Sequence, residues 1–474
     1  MPLKLIQGPP NSGRAGRIRR ALTEVLDRDP ILVVPTVDDV YAFERELCAE
    51  RAVLGAEVTT FDGLFAAVTV AGGSPPRPRL TPAQRLGAVA AAIEEQRPGL
   101  RSLRGSAAQP GFPLALERLV EELQEAGLEP ADVEAVAGTL EGSAYLGDVA
   151  ALFAGYARVR DRLERVDRHG IAAEAIALLK AGGEWWTRPV FVYGFDDMTP
   201  NQLELIGALS AAAEVTVALP YEQGRAVLAD RTAPLLAALG EIGVDSTEEL
   251  PADPANTPDA PLLFHLEREF GAADPRRAPV DDSLVHLRSA GERGEAETLA
   301  VEVARLLADG AQPGQIAIVV RDPARRGPLL ATVLESCGIP TALEAEVPAA
   351  TSAVGGSLIA LLEAMLGAGR AADLLRHLRG PSGPPPGRVD WFERRLRRTR
   401  TLTATDALSL WEERFGELPE GVARVREAAA KPERLAATIG EMAAVMGARA
   451  ESEFEARAAA AISTAMAERA ELDG

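Results

Sequence analysis

A glycine-rich stretch near the N-terminus, Gly8-Pro9-Pro10-Asn11-Ser12-Gly13-Arg14-Ala15-Gly16, has the residue types and spacing to hold a phosphate. Its glycines at 8 and 13 match the separation in the consensus G-x-x-x-x-G-K-[ST]. Glycines there let backbone N–H groups curl around an anion at the start of a helix. The residues that carry the rest of the chemistry differ. Arg14 stands where the consensus has lysine, and Ala15 where it has a hydroxyl. A planar guanidinium does not freely replace a compact ammonium between outer phosphates, and alanine has no oxygen for Mg²⁺. Gly8, Ser12, Gly13, Arg14 and Ala15 are therefore the nucleotide-binding candidates. ATP and Mg²⁺ are the ligands the architecture calls for, at a site whose chemistry is impaired. The alternative is an ordinary Gly/Pro turn between a strand and a helix.

A second constellation lies at Pro189-Val190-Phe191-Val192-Tyr193-Gly194-Phe195-Asp196-Asp197, an apolar strand that ends in carboxylates. In a parallel sheet those carboxylates fall on the same edge as the loop, where Asp196 and Asp197 could hold Mg²⁺ directly or through water. The alternative is capping of the helix that starts near Thr199. Gln202 could sense an outer phosphate or position a water, or be a surface helix residue. Arg321 ends the apolar run Ile316–Val320 and could act as an arginine finger, or make a surface salt bridge. Asp196, Asp197, Gln202 and Arg321 are the weak catalytic candidates. Arg394, Arg395, Arg397, Arg398 and Arg400 cluster beside Trp391 and Phe392. Such a run can track a nucleic-acid backbone while the aromatics stack on bases; a solvated helix face is the competing reading. Arg17, Arg19 and Arg20 pose the same choice.

The elements around these residues read as α/β. Leu3–Ile6 is a strand, followed by a basic helix over Ile18–Leu26. Ile31–Pro35 is a continuous apolar run, as in a strand buried on both faces of a parallel sheet. Val37–Glu50 is a helix, Val58–Phe61 a third strand with Asp62 capping the next helix, and Gly72–Pro76 a break. Residues 80–180 turn Ala/Leu/Glu-rich with helical spacing, beginning at the capping pair Thr81-Pro82, with further helices near Leu114–Ala126, Tyr145–Val166 and Ile171–Lys180. After the strand at Val190, a helix runs Gln202–Leu209 and a strand Glu214–Pro220. Residues 245–282 read as linker or irregular loop. Leu284–Leu287 and Ile316–Arg321 read as strands of a second α/β unit with helices at Glu295–Leu307 and Pro328–Cys337, and Gly338-Ile339-Pro340 turns into a short strand. Helices follow from Ser357, with Glu451–Leu472 last.

Composition bounds the rest. The 474 residues are 47% hydrophobic and 25% charged, with a formal net charge of −20. That excludes a generally basic nucleic-acid coat protein, though not a local basic channel. Two cysteines, Cys48 and Cys337, exclude a disulfide framework and a four-cysteine cluster. His169, His265, His286 and His377 have no metal-ligand partner at helical or turn spacing. No apolar run reaches membrane-span length and no signal pattern opens the chain, so no membrane is expected and the cytoplasm is the default compartment.

The order of phosphate loop, helical insertion, acidic strand and second α/β unit with a strand-end arginine resembles superfamily 1 helicases of the UvrD type. Closer still is the B subunit of the ATP-dependent helicase–nuclease, the AddB type, and related PD-(D/E)XK-nuclease-family proteins. The stretches that carry this are Ile31–Thr36 with Phe43–Leu47, Thr60–Leu64, Val192–Leu203, and Gly294–Glu297 with Ile316–Arg321 and Gly338–Pro340. The resemblance implies two RecA-like parallel-sheet domains with helical insertions, incomplete at the C-terminus. It assigns 1–78 to the first domain, 79–186 to a helical insertion, 187–282 to the rest of the first domain and a linker, 283–350 to the start of the second, and 351–474 to a helical subdomain. It implies a role in double-strand-break repair, DNA contact at Thr60 and Phe61, binding to single- or double-stranded DNA ends, and an AddA-type helicase–nuclease partner. The chain lacks the nuclease motif and later helicase motifs, and it lacks the cysteines of the family's iron–sulfur cluster. The expected function is thus a helicase-like DNA-binding part with a degenerate ATP site. The alternatives are a working DNA-stimulated ATPase motor and a non-catalytic interaction scaffold. Thr81-Pro82-Ala83-Gln84-Arg85 resembles an adenine-reading glutamine motif but follows the loop instead of preceding it, and is discounted.

Overall fold

Apolar runs with a two-residue period build one parallel sheet. The computed structural model describes residues 3–49, 52–75, 77–139, 143–256, 261–367, 369–450 and 452–472; Glu50, Pro76 and Glu451, at the ends of expected elements, lie outside them. The chain divides into one unit of residues up to Leu80 with Arg85–Val285, and a second of Thr81–Gln84 with the residues from His286 on.

The first unit contains β1 (Leu3–Gly8), α1 (Arg14–Thr23), β2 (Ile31–Val33), α2 (Val37–Leu47), β3 (Glu57–Thr59) and α3 (Phe61–Ala71). A run of helices follows: α4 (Pro82–Gln96), of which the part from Arg85 on belongs to this unit, α5 (Phe112–Glu125), α6 (Pro130–Thr139), α7 (Ala144–Arg162) and α8 (Arg168–Lys180). The sheet resumes with β4 (Val190–Tyr193), α9 (Pro200–Ala212), β5 (Val215–Pro220), α10 (Ala226–Ile242) and β6 (Val244–Glu249), and α11 (Pro261–Glu269) closes the unit. The strand order is β3-β2-β4-β5-β1-β6, and every pairing is parallel. Alternation feeds two cores. Leu3, Leu5, Ile31, Val33, Val190 and Val192 face one layer of helices; Ile6, Leu32, Val34, Phe191 and Ala218 face the other, with Ile18 and Leu22 of α1. Each fully buried aliphatic side chain contributes about 1.5–3 kcal/mol. The helical insertion has its own core around Val120, Leu152, Phe153 and Tyr156. This is a RecA-like α/β architecture.

The second unit opens with α12 (Gly291–Ala308) and α13 (Pro323–Ser336), which share a small core. It continues with α14 (Ala353–Met365), α15 (Ala371–Leu378), α16 (Pro386–Thr399), α17 (Ala404–Phe415), α18 (Glu420–Ala429), α19 (Pro432–Gly447) and α20 (Glu453–Ala470). Their core centres on Phe392 and Trp411.

Several elements differ from expectation. The first helix begins at Arg14, directly behind the loop, and not at Ile18. Phe61 starts α3 instead of ending a strand. Residues 245–282 hold most of β6 and all of α11. β6 has no apolar run to betray it, because an edge strand carries a charged sequence, Val-Asp-Ser-Thr-Glu-Glu. Among the described residues, ladders occur only in the one sheet. Leu284–Leu287, Ile316–Arg321 and the stretch after Pro340 lack ladder hydrogen bonds. Strand propensity alone does not make a strand; backbone groups need a partner, and Val319 is 91% exposed. No described helix is long and apolar enough to cross a membrane.

Candidate functional site

Parallel pairing opens every strand's C-terminal end on one edge, where ligands of such sheets bind. Gly8 ends β1 there, Thr60 follows β3, and Asp196 and Asp197 follow β4. β5 lies between β4 and β1. The fold therefore brings the loop, Thr60 and the acidic pair to the same edge.

The loop is built for close approach. Asn11 has φ 60° and Gly13 φ 81°, left-handed values that Asn tolerates and Gly adopts without penalty. A Cβ on Gly8 would lie against Ser12 Oγ and 2.9 Å from Leu250 O. Arg17 N donates to Gly13 O at 2.9 Å, the first bond of α1. The N-cap residue of α1 is Gly13, which has no side chain to cap with, and the first turn carries no acid, so the helix start presents leading N–H groups and the positive end of its dipole. Two buried atoms here, Ser12 Oγ and Arg14 Nε, have no hydrogen-bond partner among the described residues. Burial pulls the Arg14 guanidinium below its ordinary value, while Tyr193 acts in the opposite direction. An arginine Nε–H buried without an acceptor is costly unless an anion meets it. The residues present thus fit a phosphate.

They do not fit Mg²⁺ in the usual arrangement. Ala15 offers no ligand atom. Asp196 is ion-paired with Arg231 of α10, and Asp197 is exposed. Gln202 is occupied in a capping box: its Oε1 accepts from Thr199 N at 2.9 Å, and Thr199 Oγ1 accepts from Gln202 N at 3.4 Å. Arg231 was invisible to sequence reasoning because only α10 brings it to Asp196.

Thr60 occupies the N-cap position of α3, half-exposed, with no capping bond from its side chain. The Phe61 ring is 4% exposed and stacks edge-on against Phe195 at 5.0 Å. It lies in the core and presents no face to a base. On α1, Arg17 pairs with Glu248 at 2.9 Å, whereas Arg19 and Arg20 are exposed.

Within the second unit, Arg321 is exposed. Arg397 of α16 bonds to Glu393 at 2.5 Å, which Arg379 also holds. Arg394, Arg398 and Arg400 are exposed and Arg395 half-buried. Arg394 and Arg398, four residues apart, share a helix face. The expected stacking aromatics are taken up by the protein. Phe392 is fully buried against Trp411 at 5.0 Å, and Trp391 packs edge-on to Phe415 at 5.5 Å with Arg414 over its ring. What remains at the surface is charge.

The insertion holds a polar cluster that sequence reasoning missed. Glu121, Glu125 and His169 converge; the only legible hint was the four-residue spacing of the glutamates on α5. Burial first, and then Arg168, hold the His169 ring down at about 4.

Residues 5–233 match the family model described as ADDB, N-terminal. Over 380 residues, 73% of the chain, it is 28% identical to the B subunit of the ATP-dependent helicase/deoxyribonuclease of Desulforudis audaxviator (strain MP104C), covering 32% of that protein. Identity is 26% over 382 residues, 72% of the chain and 32% of the relative, with the protein of the same name from Symbiobacterium thermophilum. It is 25% over 424 residues, 81% and 36%, with that from Moorella thermoacetica. The chain spans about a third of the length of these curated relatives. Residues 5–233 are thus similar to the AddB N-terminal family, and the likeness to these relatives extends beyond them.

Proposed function

We propose that this chain is the helicase-like, DNA-handling part of a double-strand-break repair helicase–nuclease, with a loop that binds phosphate but does not support Mg²⁺-dependent hydrolysis. The observation that carries the reading is the pair of buried, partnerless atoms Ser12 Oγ and Arg14 Nε at the uncapped start of α1. The pairing of Asp196 with Arg231 supports the loss of hydrolysis. Thr60 on the sheet edge and Arg394, Arg395 and Arg398 on α16 are the DNA contacts, through backbone phosphates. The relatives are named as the B subunit of a helicase/deoxyribonuclease, which supports a second subunit, here taken as AddA-type, and DNA ends as the substrate they share. Cytoplasmic residence accords with that role.

The test is ATP turnover with and without single-stranded DNA, for the native chain and for Arg14→Lys with Ala15→Thr. DNA binding without turnover in the native chain supports the reading. DNA-stimulated turnover by the native chain replaces it with a working motor. Failure to bind DNA at low salt, where electrostatic binding is strongest, leaves a protein-interaction scaffold.

A further inference from the structure

Glu121 and Glu125 stand one turn apart on α5, and His169 lies in the first turn of α8. One carboxylate oxygen from each glutamate and one ring nitrogen lie within 4.8 Å of one another, all on half-buried residues. Three lone-pair donors converge on one cation, the Arg168 guanidinium. Its Nη2 is 2.7 Å from Glu121 Oε1 and also pairs with Glu125. Its Nε donates to His169 Nε2 at 3.2 Å. An accepting Nε2 is the nitrogen of a neutral ring whose proton sits on Nδ1.

Two carboxylates would suffice to hold an arginine. The unprotonated imidazole accepts one hydrogen bond from the guanidinium, and the same lone pair can make a coordinate bond to a first-row divalent metal. Two oxygens and one imidazole nitrogen, with a fourth position open to water, form a familiar zinc ligand set. Arg168 is itself exposed, and its long stem lets the head withdraw into water.

We propose that Glu121, Glu125 and His169 bind a divalent transition metal, Zn²⁺ foremost, in exchange for the guanidinium of Arg168. The arginine then holds the two helices together in the metal's absence and competes with it. The site lies in the helical insertion and is independent of the phosphate loop.

The experiment is calorimetric titration of the native chain with ZnCl₂, and with CoCl₂ read by visible absorption. Circular dichroism checks that each variant is folded. His169→Ala and Glu125→Gln are expected to weaken the site by about tenfold or more, and Arg168→Gln to tighten it by a similar factor. MgCl₂ is expected not to compete, because Mg²⁺ prefers oxygen ligands. Zinc binding that is the same in the native chain and His169→Ala overturns the proposal, as does an Arg168→Gln chain that binds zinc no more tightly than the native one.

Discussion

Replacing Asp167 with alanine should loosen the helical insertion and α8 while leaving the second unit untouched. The Asp167 side chain is 1% exposed and gathers hydrogen bonds from several elements. They come from Gly170 N at 2.7 Å, Tyr156 Oη at 2.9 Å, Gln124 Nε2 at 3.1 Å and Arg160 Nη1 at 3.4 Å. One carboxylate thus caps α8 and ties it to α5 and α7. Losing the cap costs about 1 kcal/mol, and leaving Tyr156 Oη and Gln124 Nε2 buried without that acceptor costs about 3 kcal/mol more, while Arg160 keeps its pairing with Asp161. Asp167→Ala should therefore destabilise these helices by about 4 kcal/mol, a large share of the roughly 5–15 kcal/mol typical of a domain. Hydrogen exchange reads this directly. Amides of α7 and α8 that exchange by unfolding should speed up by about a thousandfold, while those of α14 do not change. A change below about tenfold in α7 and α8, or equal acceleration in α14, would refute the reasoning.

Other outcomes follow from the same structure. Asp167 is held below its ordinary carboxyl value: burial raises it, but Arg160, Gly170, Gln124 and Tyr156 together outweigh that. Its contribution is therefore complete above the unfolded value of 3.8 and is lost as pH falls through the folded one; an acid unfolding curve unaltered in Asp167→Asn contradicts this. The His169 ring should titrate at about 4, so its proton resonances should stay flat from neutral pH down to about 5; a midpoint at the ordinary 6.5 goes against the burial argument. Gly8→Ala would push a methyl against Ser12 and Leu250 O and should cost about 1–3 kcal/mol in chemical denaturation; an unchanged midpoint contradicts the close approach. Arg394, Arg395 and Arg398 changed together to glutamine should weaken single-stranded DNA binding and flatten its log–log salt dependence by about 0.7 for each phosphate no longer neutralised. An unaltered slope removes α16 from the DNA path.

The central sheet was legible because parallel strands buried on both faces read as unbroken apolar runs, as in Ile31–Val34 and Val190–Val192. The insertion was legible from helical spacing and the Thr81-Pro82 start. β6 was not, since an edge strand needs no apolar run, and α10 was obscured by Pro234 within it. The loop could be read from its glycines and its missing lysine, but that Arg14 Nε is buried without an acceptor depends on what the fold places around it. Asp196 read as a metal ligand because its partner Arg231 lies 35 residues away in sequence. Trp391 and Phe392 read as stacking groups, and Phe61 as a DNA contact by resemblance, because type and spacing do not reveal that the rings pack into a core. The convergence on Arg168 joins two helices that sequence distance keeps apart.

The central claim is that Arg14 and the uncapped start of α1 hold a phosphate without help from Mg²⁺. Calorimetric titration with ATP, in Mg²⁺ and again in EDTA, tests it most directly on the native chain and Arg14→Ala. The account predicts equal native affinity in both buffers and a loss of about 10–100-fold in the variant, the size of a charge-assisted hydrogen bond. Binding that requires Mg²⁺, or an Arg14→Ala chain that binds ATP as the native one does, would contradict it.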